Sequence, residues 1–104
     1  MYVMTSPSQP FWRDQIAQLR YLAVKVARVH GPTHPDMATL AEVVATLADS
    51  HADDVAAHVA LGKRMHELTE GFHPWSGACG SVHQLFHGLS AVAATVTITS
   101  SENA

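Results

Sequence analysis

The sequence predicts an all-α fold, and three observations carry that prediction. Apolar residues recur at i, i+3, i+4 and i+7 spacing in three stretches, the signature of amphipathic helices. Gly31-Pro32 and Gly71 fall where those stretches end, as helix-stopping residues should. The hydrophobic share of 47% is ordinary for a globular chain, but alanine supplies much of it, so the helical core is expected to be thin. Residues 1–104 are read as a single helical domain, short enough that self-association would help it bury surface.

Taken in order, residues 1–9 carry Ser and Pro and are expected to form a loose arm. The first helix is expected from Pro10 to His30, its inward stripe being Trp12, Ile16, Leu19, Ala23, Val26 and Ala27, continued by His30. Pro35 suits the first turn of the next helix, and Asp36 places negative charge at its amino end. The region 36–70 would span roughly 50 Å as one helix. Its stripe is Met37, Leu40, Val44, Leu47, Val55, Leu61 and Met65, which keeps its phase through Asp49 to Asp54. One unbroken helix is therefore favoured. The alternative is a second start at Ser50, with Asp53 completing a capping box. After Gly71 as a cap, residues 72–77 form a loop. A last helix starts near Ser76, with the stripe Ala78, Val82, Leu85, Phe86, Leu89, Val92 and Ala93. The Thr-, Val- and Ile-rich stretch 94–99 favours fraying or an extended tail, and residues 97–104 are expected to be disordered.

Composition excludes several function classes. A net charge of −3 with only six Lys and Arg gives no basic patch for nucleic acid and no cluster for an anionic membrane. No apolar run is long enough to span a bilayer, and Met1–Pro10 lack the basic start and apolar core of a signal peptide. Cys79 is the only cysteine, so a thiolate metal cage would need several chains. These features point to a cytoplasmic protein. No phosphate loop or nucleophile elbow is present, and the neighbours of Cys79 in sequence supply no fixed positive charge. A binding role is thus favoured over an enzymatic one.

Eight histidines in 104 residues are the chemical signal. On an unbroken second helix, His51 and His58 lie within the apolar stripe with Asp54 at its edge. Inward polar groups must be hydrogen-bonded, paired or metal-bound. Imidazole with carboxylate suits non-haem iron and other divalent metals, and His30 on the first helix is the best further ligand. The candidate metal set is therefore His51, His58, Asp54 and His30, against the plainer reading of satisfied core histidines. His83 and His87 fall on the flank away from the core, with Cys79 a small half-buried residue nearby. His66 and Glu70 form an H-x-x-x-E pair in a last turn, where the helix dipole already explains a histidine.

Lys25-Val26-Ala27-Arg28-Val29-His30-Gly31, then His34-Pro35-Asp36-Met37, resembles a helix end and the next helix start in the hemerythrin-like iron–sulfur cluster repair family. The resemblance resumes at Leu68-Thr69 and runs through Pro74, Ala78-Cys79, Phe86 and Gly88-Leu89, covering about a third of the chain in order. It implies a shortened, up-down bundle of three to four helices, iron as cofactor and a part in a stress response. That family holds two irons through four histidines and two bridging glutamates. Its first-helix ligand position falls on Gln9 here, and its H-x-x-x-E-E motif is absent. Its Glu-His-Asp is best matched by His51-Ala52-Asp53, displaced by about one turn. The expected last-helix His and Glu are replaced by Ala94-Thr95-Val96-Thr97-Ile98-Thr99. The resemblance thus carries over one ligand, His51, and implies that a homodimer would complete any centre. Two rivals stand beside metal binding: a metal-free helical interaction module, and a bundle that responds to pH through inward histidines.

Overall fold

The computed structural model describes residues 5–51 and 54–103, with side chains over 13–51 and 54–95. Within them are four helices: α1 (Thr5–His30), α2 (Asp36–Asp49), α3 (Val55–Leu68) and α4 (Gly80–Asn103). Each packs on the next and α4 closes back on α1, while the diagonal pairs do not meet, so the helices form an up-down ring. The two middle helices have 14 residues each against 26 and 24 for α1 and α4. At 1.5 Å per residue the middle pair covers only about 20 Å. The outer pair therefore runs on past the α2–α3 turn, along a long axis of 47 Å.

The periodic stripes are the core. Ile16, Leu19, Ala23 and Val26 come from α1, and Met37, Leu40, Val44 and Leu47 from α2. Met65 comes from α3, and Val82, Leu85, Phe86, Leu89 and Val92 from α4. Ala27, Val55, Leu61, Ala78 and Ala93 are half-buried at its margin. Trp12, expected on the same line, lies outside the described side chains. Gly88 marks the closest approach of α1 and α4: a Cβ there would stand 2.5 Å from Leu19 Cδ2.

The unbroken helix expected over 36–70 is not found. Ser50 leaves the helix in an extended conformation (φ −78°, ψ 159°), with its backbone N–H and hydroxyl both donating to the Leu47 carbonyl. Asp54 then caps α3, its carboxylate accepting from the Ala57 N–H at 3.1 Å. Ser50 is accordingly a carboxy-terminal cap, not the start of a capping box, and Asp53 lies outside the described residues. Continuity of phase misled because two helices that share a core each present an apolar stripe. A single helix would leave half of its stripe uncovered, whereas reversal brings Met65 into the core that Leu40 and Val44 occupy.

The ends also differ from expectation. α1 starts at Thr5 rather than Pro10, so residues 5–9 are helical, and α4 starts at Gly80 rather than Ser76. α4 continues through the Thr-rich stretch to Asn103. Thr95 shows how such a residue fits: its hydroxyl donates to the Ala91 carbonyl one turn back, at 3.0 Å. Gly71 is not itself the left-handed residue that ends α3. Thr69 is the cap, and Glu70 (φ 53°), Gly71 (φ 78°) and Phe72 (φ 64°) are all left-handed. The Gly71 N–H donates to His66 and the Glu70 N–H to Glu67, a Schellman closure. Because Glu70 is exposed and an L-residue in this region costs about 1 kcal/mol, Glu70→Gly is expected to raise the melting temperature by a few degrees in a thermal denaturation series. A fall would show that the strain is absent.

Candidate functional site

The structure separates the residues expected to hold a metal. His51 is exposed outside any helix, in the α2–α3 turn, and Asp54 is exposed as the α3 cap. His51 is thus not inward, because the helix that would have aimed it at the core ends at Asp49. His58 is buried at 6% exposure. The Ser50 hydroxyl spends its one hydrogen on Leu47, so at 2.8 Å His58 Nε2–H is the donor to Ser50 Oγ. His30 sits at the opposite end of α2, about 20 Å away by helix rise. Among the described residues no three His, Cys, Asp or Glu side chains converge as a metal-holding group. Ser50→Ala is expected to cost about 1 kcal/mol by removing the part-buried His58–Ser50 hydrogen bond. Chemical denaturation of the variant with an unchanged midpoint would contradict that bond.

His30 instead belongs to a cluster at the end of the bundle where the α1–α2 and α3–α4 loops lie side by side. Gly31-Pro32 stops α1 with His30 in its last turn, and Cys79 immediately precedes the first turn of α4. Their side chains meet across 49 positions of sequence, His30 Nε2 to Cys79 Sγ at 3.2 Å. Cys79 is exposed, not half-buried as expected, because it caps a helix end rather than lying within its stripe. The backbone N–H of Val82, then the His30 ring and the N–H of Ser81, favour its thiolate and lower its pKa from the usual 9.0 to about 7.

Trp75 binds this pair to the rest of the end. Its ring stands edge-on to His30 at 5.6 Å and stacks on His34 at 3.8 Å, 19° from parallel. On its inner side it meets Phe86 edge-on at 6.2 Å. Beside Trp75 opens a cleft of about 450 Å³ between the two loops, with Met37, Leu68 and Phe86 among its apolar walls and Asp36, Glu70, His34 and His73 among its polar ones. The left-handed turn at Glu70–Phe72 shapes one rim. There His73 Nδ1–H donates to the Glu70 carbonyl at 3.0 Å, which leaves Nε2 as an acceptor.

No protein-family model, curated protein or solved structure matches this chain. What the site can do therefore rests on its own chemistry. His83 and His87 are exposed on the flank of α4, as their phase implies, and His66 packs edge-on against Phe72 rather than pairing with Glu70. Among the described residues no helix is long and apolar enough to cross a membrane. The pairing of His30 with Cys79 escaped sequence reasoning, which set His30 against His51, Asp54 and His58 of the second helical region and Cys79 only against its neighbours in sequence. The available signal was that His30 and Cys79 both flank loops at one end of an up-down bundle.

Proposed function

We propose that this chain is a small thiol-active protein, in which the Cys79 thiolate, poised by His30, exchanges with low-molecular-weight disulfides and other soft electrophiles. The contact that carries the proposal is His30 Nε2 to Cys79 Sγ at 3.2 Å, on an exposed sulfur at the start of a 24-residue helix. The thiolate attacks one sulfur of the disulfide. A new S–S bond forms to Cys79 while the other half leaves as a thiolate that takes a proton from solvent, so no further oxidant is needed. His30 favours the anion by facing it. Incubation of the reduced protein with oxidised glutathione at neutral pH should give one adduct on Cys79 per thiol released, read by mass spectrometry. Cys79→Ser should give none. Adduct formation no faster than in the urea-unfolded chain would overturn the proposal.

The same contact favours a second reading, in which the expected metal and homodimer come together. One nitrogen and one sulfur 3.2 Å apart make half of a tetrahedral S₂N₂ set, and a second copy of the chain would supply the rest. Zinc or an iron–sulfur cluster suits that donor set. Kinship with hemerythrin-like repair proteins would then lie in the bundle and in iron, with ligands at a different end. Elemental analysis after anaerobic reconstitution, joined to a mass measurement in solution, should give metal bound by a dimer and lost in Cys79→Ser. A metal-free monomer after exposure to both ferrous iron and zinc would dispose of it.

A further inference from the structure

We propose that the cleft between the α1–α2 and α3–α4 loops binds a small aromatic amine, independently of the Cys79 thiol. Three features of the cleft select that class. Its volume of about 450 Å³ falls in the range of sites for small organic ligands. Its accessible apolar wall is formed by the half-buried Trp75, Leu68 and Pro74, with the buried Met37 and Phe86 completing the lining, so an aromatic body gains contact there. Its charged lining residues are the carboxylates of Asp36 and Glu70, with no Lys or Arg among the residues around it.

An anionic ligand would face two carboxylates with no compensating cation. A neutral apolar one would desolvate them without return. An ammonium group is instead drawn to carboxylates lining the cleft. The acceptor left on His73 Nε2 lines the same rim and fits an N–H donor, while His34 holds the Trp75 ring by stacking and so fixes the wall before a ligand arrives. That wall is ordered by side chains from both loops, which is the preorganisation a small ligand requires.

The test is calorimetric titration of the full chain with tryptamine and with indole-3-acetate, which share an aromatic body and carry opposite charge. Saturable one-to-one binding of tryptamine is expected, at least about tenfold tighter than the acid. The Trp75 indole N–H resonance should shift on titration. The exposed pair Asp36→Asn with Glu70→Gln should abolish the preference, and Cys79→Ser should leave it unchanged. Equal binding of the acid, an undiminished preference in the double variant, or no saturable binding of tryptamine would each overturn the proposal. Loss of binding in a folded Cys79→Ser protein would overturn its independence from the thiol. Failure of the glutathione reaction bears only on the thiol.

Discussion

The Cys79 thiol is expected to outpace an ordinary cysteine at pH 7 and to fall behind it in alkali, a crossover rather than a uniform gain. A pKa of about 7 in place of 9.0 makes about half the sulfur thiolate at pH 7 instead of about one part in a hundred. The lower basicity also weakens each thiolate, by about eightfold for two pH units at a Brønsted slope near 0.45. The product is a net advantage of roughly sixfold at pH 7, which vanishes a little above pH 8 and has reversed to a roughly fourfold deficit by pH 9. His30→Ala should move the profile part of the way toward 9.0, since the larger contribution of the Val82 N–H remains. Rates of exchange with a chromogenic disulfide from pH 5 to 10, against the urea-unfolded chain, measure this directly. Parallel profiles without a crossover would show that the helix start and His30 leave the sulfur unperturbed.

Phe86→Ala should be the most damaging single change at the site's foundation. Phe86 is 2% exposed, lies in the core from α4 and supports Trp75 edge-on. Its truncation is expected to cost about 3–5 kcal/mol, a large part of the 5–15 kcal/mol that holds a small domain together. A fall of about 15 °C or more in melting temperature follows at this chain length. Phe86→Leu should recover over half of the loss, because it refills most of the volume though not the aromatic edge. Circular dichroism melts would read both. A change of only a few degrees in Phe86→Ala would mean that the loop end, not the core, bears the ring.

Much of the fold was legible because burial on helices imposes a period. Ile16, Leu19, Val26, Leu40, Val44, Leu85 and Leu89 were placed inward by spacing alone and are buried. The break at Ser50 was not legible, since the phase of a stripe survives a reversal and only tertiary packing distinguishes one helix from two. His58 was rightly placed in the core, and its partner is Ser50, a cap that exists only once the helix has ended. His51 left the core for the same reason. The contact of His30 with Cys79 joins two loops through space, and no local pattern encodes it. The cleft is a product of three left-handed residues and an indole–imidazole stack, features that hydrophobic periodicity does not register.

The separation of His30 and Cys79 by 49 positions ties proton affinity to folding itself. The unfolded chain has neither the α4 helix start nor the imidazole beside the sulfur, so its thiol returns to the ordinary 9.0, while the folded chain holds it at about 7. Between these values the folded state binds fewer protons, and raising the pH draws the population toward it. The contribution is complete above pH 9 and is lost as the pH falls through 7. Folding in that window therefore releases acid, and Cys79→Ser should remove that release while leaving the rest of the stability curve in place.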